Sequence, residues 1–419
     1  MKIAQISMIN GAITEGNVMR VSGLSQGLHD LGHSVLVVCK LNSKRLVGGF
    51  EKADAPLLKS LVWLYGPRSP VETVASRSPY ARLAAYRLLS PLPYANMRVT
   101  DTCSVLHCHL LGVASLMLRK RRQGQKVLLD FHGMLMLTDT SGTPIADTRG
   151  TPVDSLDDES RLRALKWQSQ VFEEVDGVSF VTAALRDKIT PLYDIDPGKT
   201  YVIPDGVNFR RISRDWQNSD ILRLRQSWGK PSDVVVMYVG ALDSLHGASY
   251  LEKVIRELLG NSRVSTSVRV VLIGGGVLSH LFADLQRGFG DRFVRIRRVS
   301  YEMLPTYLAS ADILLVPHAR NMLMENIESG KLLNYLASGK PTVVTSLASV
   351  SDFLEDNVSC IMCHPDHPST MVSGIERLVD SPELRQAIGK RGAEVVERGR
   401  DWSFVAQGAL QVYHDLTRP

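Results

Sequence analysis

The sequence predicts an α/β protein of two domains, each a parallel sheet covered by helices on both faces. Two observations predict it. Short apolar runs rich in Val, Ile and Leu alternate with stretches of helical periodicity along the chain, the pattern of strands buried on both faces. That pattern also halts near residue 205 and restarts, and 419 residues suffice for two domains. A third observation marks a ligand-binding edge. Glycine-containing turns, "INGAITEGN", "YVGALDSLHG" and "LIGGGV", follow successive strands, where glycine admits a phosphate or base close to the backbone.

Taken in order, "KIAQISMI" is a strand, residues 17–31 a helix and "HSVLVVCK" a strand. "SVLHCHL", a helix over 112–122 and "KVLLDFHG" continue the series. The polar stretch 138–158 reads as a long loop. A helix over 159–174, the strand "GVSFVTA", a short helix and "TYVIPDGV" close the first half. The second half runs "DVVVMYVGAL", "VRVVLIGGG", "FVRIRRV", "ADILLVPH" and "KPTVVTS", with helices between. The boundary falls in "PDGVNFRRI", giving an N-terminal domain over 1–207 and a C-terminal domain over 208–395. Residues 396–419 end a helical tail with no strand after it, expected to pack back towards the N-terminal domain. Open parallel sheets bind ligands beyond the carboxyl ends of their strands, so two such sheets facing a central cleft would hold two substrates on opposite walls.

Composition excludes several classes. At 44% hydrophobic and 22% charged the chain reads as globular, and no apolar run reaches the ~18 residues a spanning helix needs. "MKIAQISMIN" reads as a strand rather than a signal peptide, which places the protein in the cytoplasm. Five cysteines, an odd number, argue against a disulfide framework. "CIMCH" has the spacing of a haem-attachment motif, but haem attachment needs export. No second Cys or His pair has zinc spacing. The net charge of +6 is concentrated: residues 59–100 hold Lys59, Arg68, Arg77, Arg82, Arg87 and Arg98 against Glu72 alone. Mixed with Leu, Trp and Tyr, these cations suit the inner face of an anionic membrane or a phosphorylated acceptor. A solvated loop and helix with its apolar residues turned inward reads the same way. No nucleic-acid motif accompanies the charge.

The order of motifs resembles glycosyltransferase family 4, retaining enzymes with the GT-B fold of two Rossmann-like domains. "EGNVMRVSGLSQGLHDLGHSVLVV", "VLHCHLLGVASL", "LLDFHG", "YVIPDGVN", "YVGALDSLHG", "VVLIGGG", "LPTYLASADILLVP" and "ESGKLLNYLASGKPTVV" follow in the family's register over nearly the whole chain. The resemblance implies a nucleoside-diphosphate sugar, a UDP-sugar first, on the C-terminal domain and an acceptor on the N-terminal one. It implies transfer with retention to an acceptor hydroxyl, without a cofactor or metal. Positioning and charge stabilisation then carry the catalysis. The acceptor class stays open between a lipid-linked or cell-envelope glycan and a small natural product.

Residue by residue, the resemblance places His132 opposite the reacting sugar, with a structural histidine at a strand end as the alternative. Gly16 and Asn17 fall in the phosphate-facing loop, and Gly240 and Gly275 in the turns of the second sheet. His107 and His109 share one strand face, where His109 lines the acceptor side or serves structure. The family's diphosphate clamp, an arginine and a lysine, is Ala241 and His246 here. Its two glutamates are Asn326 and Asn334, with Glu325 beside the first. A variant group instead carries a serine and a lysine, matched by Ser329 and Lys331, ahead of Leu332. Lys331 and the helix it opens point to the diphosphate. Arg297 and Arg298 supply replacement charge or pair with acids. Asn334 can hydrogen-bond a ribose hydroxyl without a charge. A charged partner contributes about 1.5–3 kcal/mol and a neutral one about 0.5–1.5, so the substitution costs roughly tenfold in affinity. The lost clamp and glutamates support a second reading, a catalytically silent GT-B protein that binds a glycan or completes a partner transferase. A third, a GT-B sugar-nucleotide epimerase, fits the spacing around Lys331 less well.

Overall fold

The computed structural model describes residues 1–7, 16–39, 51–54, 100–109, 111–131, 137–138, 144–146, 158–260, 263–264 and 266–418. The basic segment 59–100, apart from Thr100, and His132 lie outside them. The chain divides into two compact units, Met1–Pro204 with Ser403–Pro419, and Asp205–Trp402.

The first unit is built on β1 (Lys2–Ser7), α1 (Gly16–Asp30), β2 (Ser34–Cys39), β3 (Glu51–Asp54), β4 (Val105–Cys108), α2 (Leu111–Lys120) and β5 (Lys126–Phe131). The strands β6 (Leu137–Thr138) and β7 (Pro144–Ala146), then α3 (Asp158–Glu174), β8 (Gly177–Phe180), α4 (Ala183–Leu192) and β9 (Thr200–Val202), complete it. Seven strands in the order β3-β2-β1-β4-β5-β8-β9 form one parallel sheet. Its central strands are buried from end to end, as β4 "VLHC" and β8 "GVSF" show.

The structure corrects one expectation within 138–158. β6 and β7 pair as a small antiparallel ladder with an irregular register, and α3 begins at Asp158. Strands of two and three residues are too short to show an alternating pattern, so nothing in that polar stretch announces them.

The second unit runs α5 (Phe209–Arg214), α6 (Asn218–Trp228), β10 (Val234–Val239), α7 (Ala248–Gly260), β11 (Val268–Ile273), α8 (Leu285–Phe289), β12 (Phe293–Ile296) and α9 (Leu304–Ser310). It continues with β13 (Ile313–Val316), α10 (Met322–Asn326), α11 (Gly330–Ala337), β14 (Thr342–Thr345), α12 (Ala348–Ser351), β15 (Ile361–Cys363), α13 (Pro368–Asp380) and α14 (Pro382–Gly399). Six parallel strands lie in the order β12-β11-β10-β13-β14-β15. The order reverses between β10 and β13, the kind of point where parallel sheets bind ligands.

Helices cover both faces. α7 buries Leu251, Val254, Ile255, Leu258 and Leu259, at helical spacing, on one face with α13. α11 buries Leu332, Leu333, Tyr335 and Leu336 on the other. At roughly 1.5–3 kcal/mol for each large apolar side chain, four such residues hold an eight-residue helix that would not form alone. Glu328, buried just before α11, pairs with Arg400 through Oε1 at 2.7 Å from Nη2. That fixes the approach to the helix from α14.

Candidate functional site

Chemistry-bearing residues of the second unit gather at the carboxyl ends of β10, β11, β12 and β13. β10 leads into Gly240, whose amide donates to Ile273 O at 2.9 Å. Asp243 Oδ1 then accepts from the His246 amide at 2.9 Å and lies 2.8 Å from His246 Nδ1. This side-chain turn folds the loop back and starts α7. Gly247 has φ +70, and a Cβ there would stand 1.6 Å from Pro317 O, so the site requires glycine.

The three glycines after β11 serve different ends. A Cβ on Gly274 would meet Gly240 O at 1.9 Å, and one on Gly276 would meet Leu242 O at 2.3 Å. These two let neighbouring turns touch. Gly275 braces neither turn: its Cβ position meets only Ser279 Oγ at 3.9 Å and Arg297 O at 4.0 Å, ordinary contacts that a side chain could keep.

Lys331, in the first turn of α11, reaches back under the β10 turn. Its Nζ donates to Tyr238 Oη at 2.8 Å and lies 4.2 Å from the centre of the Tyr238 ring. Tyr238 in turn donates to Ala241 O. A Cβ on Gly240 would stand 2.5 Å from Lys331 Nζ, so this glycine makes room for the amine. Tyr335 locks the same corner by accepting from Val239 N at 2.6 Å and donating to Val239 O at 2.9 Å. Ser329 caps α11 in position, but its hydroxyl makes no capping bond. Instead it lies 3.5 Å from His318 Nε2. Among the described residues the first amides of α11 thus have no side-chain acceptor, which suits an anion.

His318 belongs to this edge although sequence reasoning passed it over. Its ring is buried and meets that of His246 edge-on, with centroids 5.6 Å apart. Burial, then the charges of Lys331 and His246, hold His318 far below the usual histidine range. Burial and Lys331 also lower His246, against Asp243. Burial pushes Lys331 down to about 7, with Asp243 opposing.

The remaining sequence-predicted residues sort clearly. Asn334 donates to Gly330 O at 2.6 Å, while its Oδ1 is buried without a partner. Leu332 is buried in the core, so what it offers the edge is its backbone amide. Glu325 accepts from Ala348 N at 2.7 Å, capping α12, and pairs with Arg320 at 3.1 Å. Asn326 is buried at the end of α10. Arg297 and Arg298 are exposed, and no acid among the described residues lies within ion-pair distance of either. Arg295 beside them donates to Gly274 O at 3.3 Å. Cys360 and Cys363 are buried thiols, each pushed up to about 12, with burial the main cause.

In the first unit, Gly16 and Asn17 open α1. His107 and His109 are fully buried in a polar network rather than lining a surface. Arg20 grips Asp130 through Nε and Nη2 at 2.7 and 2.9 Å, and also donates to Ile203 O and Pro204 O. His109 lies 2.9 Å from Asp130 and 2.5 Å from Gln5 Oε1. Gln5 and His107 both meet the hydroxyl of Tyr413, on the C-terminal helix Trp402–Thr417. His107, His109 and Asp130 have the spacing of metal ligands. However, both Asp130 oxygens already sit in the Arg20 fork, the arrangement of a structural network.

Residues 16–211 match the family model described as Glycosyltransferase Family 4, and residues 233–381 match the model described as Glycosyl transferases group 1. A glycosyltransferase of Methanocaldococcus jannaschii is 22% identical over 61% of this chain and 64% of that protein. D-inositol 3-phosphate glycosyltransferase of Kineococcus radiotolerans is 27% identical over 59% of this chain and 58% of that protein. The chain thus spans about three-fifths of the length of these curated relatives. Among solved structures, sucrose-phosphate synthase of Thermosynechococcus elongatus superposes with TM-score 0.69 at 17% identity, covering 99% of this chain and 98% of that one. Anabaena HepE, solved with UDP, gives TM-score 0.67 at 13% identity over 98% and 99%. Likeness at these identities is likeness of fold, and the fold is GT-B.

Proposed function

The chain belongs to glycosyltransferase family 4, and on that premise we propose that it is a retaining glycosyltransferase. Its donor is a nucleoside-diphosphate sugar, a UDP-sugar first, bound at the carboxyl edge of the second sheet. The observation that carries this reading is the amine of Lys331 beneath Gly240, beside a helix start whose amides lack a side-chain cap. A diphosphate supplies what both lack, an anion. The turn at Gly275 is the place for the nucleoside, with Arg297 and Arg298 as exposed cations after the neighbouring strand. Asn334, whose Oδ1 has no partner among the described residues, is the side chain for a ribose hydroxyl once its amide turns towards the edge.

In this mechanism the protein's own cations, rather than a metal, balance the charge that grows on the departing diphosphate, which also takes the acceptor's proton. The family's motifs assign His132 and Asn326 to the reacting sugar, and Glu325 fixes α12 beside Asn326. The same motifs assign Gly16 and Asn17 to the phosphate-binding loop of the first unit. The acceptor is a glycan, lipid-linked or envelope-borne, or a small natural product, with residues 59–100 as the segment for an anionic membrane surface and the cytoplasm as the compartment. HepE binds UDP and UDP-glucose in its solved complexes, which supports UDP as the first donor to try.

The test is turnover. Wild-type protein incubated with sugar nucleotides and candidate acceptors should release nucleoside diphosphate and give a product with the donor's anomeric configuration by NMR. Lys331→Ala should lose release by at least tenfold. A folded chain that neither binds a donor nor releases nucleoside diphosphate would instead support the silent GT-B reading, which the amides at 326 and 334 favour.

A further inference from the structure

The Lys331 amine has an unusual set of neighbours. β10 contributes Tyr238, whose hydroxyl and ring receive the amine at 2.8 and 4.2 Å. The following loop contributes Asp243 and His246, already joined to each other by two hydrogen bonds. The end of β13 contributes His318, and α11 itself contributes Tyr335, whose hydroxyl is taken by Val239. The nearby carboxylates Glu325 and Glu328 are held by Arg320 and Arg400. Among the described residues no carboxylate comes within ion-pair distance of Nζ. The ammonium thus has an aromatic floor, one hydroxyl and no directly paired carboxylate, Asp243 acting on it only from further off, beside two imidazoles that repel it when protonated. Lysine in such a place readily gives up its proton.

We propose that this edge takes up a proton from solvent as a nucleoside diphosphate binds, that the Lys331 amine receives it, and that donor capture and product release are thereby coupled to pH. The proposal rests on the reading of this edge as the donor site. The step balances simply: a neutral amine and one solvent proton become an ammonium paired with the diphosphate, no ligand bond changes, and the proton returns to solvent when the diphosphate leaves.

Burial already brings the Lys331 amine down to about 7. At pH 8, then, roughly nine in ten amines are empty in the free protein. An anion raises the amine's pKa in the complex. The sign follows: affinity is full below pH 7 and falls by about tenfold per pH unit above it, until the pKa of the complex is reached. His318 and His246, both lowered, are neutral in that window and do not supply the proton change.

Isothermal titration of the full chain with UDP, and with GDP, at pH 8 in buffers of different ionisation enthalpy counts the protons. The terminal phosphate, with a second pKa near ~6, is already ionised there. Wild type should take up roughly 0.9 proton per nucleotide. Lys331→Arg, always charged, should bind with uptake near zero and an affinity flat from pH 7 to pH 9. Binding without uptake in the wild type overturns the coupling and leaves the donor site standing. Uptake that survives in Lys331→Arg moves the proton elsewhere and overturns the assignment. Failure of the folded chain to bind either nucleotide overturns the donor-site reading and the coupling with it.

Discussion

Gly240→Ala separates the site from the fold. A Cβ at 240 would stand 2.5 Å from both Cε and Nζ of Lys331 and 3.1 Å from Tyr238 Oη. Ordinary carbon contact begins near ~3.5 Å, so the amine must retreat by about 1 Å. It then loses its 2.8 Å bond to Tyr238. The retreating group is the end of a flexible chain, and Gly240 is not among the positive-φ glycines, so alanine is tolerated. Stability should change by less than about 1 kcal/mol. Diphosphate binding should lose a charge-assisted hydrogen bond, about 1.5–3 kcal/mol, or roughly 10- to 150-fold in affinity. Thermal denaturation and titration with UDP and with uridine measure the two effects. Refutation would be an unchanged UDP affinity in a variant of normal stability, or an equal loss for uridine, which carries no phosphate.

Other substitutions test other parts. Asn334→Glu should raise UDP affinity by about tenfold through a charged bond to the ribose, and the gain should vanish with 2′,3′-dideoxy-UDP. Arg400→Ala removes the guanidinium that pairs with the buried Glu328 carboxylate and should cost about 3–5 kcal/mol in urea unfolding. Tyr413→Phe removes the hydroxyl shared by Gln5 and His107, for about 1–3 kcal/mol by the same measurement.

Much of the fold is legible because buried parallel strands leave near-continuous apolar runs, as "VVVMYV" and "VRVVLI" do. Lys331 is legible too, since its spacing from "LLNYLASGKP" survives although the flanking glutamates do not. His318 is not. In sequence it merely ends "ADILLVPH". It reaches Lys331 because β13 lies beside β10, a neighbour distant in the chain. The glycines are legible only in part. "GGG" reads as a ligand-facing turn or as a tight turn alone, and Gly274 and Gly276 answer to Gly240 O and Leu242 O, atoms of another strand's turn. Glu325 looks available beside Asn326 until α12 is in place to take its carboxylate. Such facts live in packing between elements, where no local pattern reports them.

The central claim is that the edge around Lys331 binds a sugar nucleotide. Saturation-transfer NMR of the purified chain against a panel of UDP-, GDP- and other sugar nucleotides, repeated with Lys331→Ala, tests it most directly. Transfer to one sugar nucleotide is expected, strongest on its nucleoside protons and lost in the variant. A folded chain that shows no transfer to any of them, or equal transfer with and without Lys331, would contradict it.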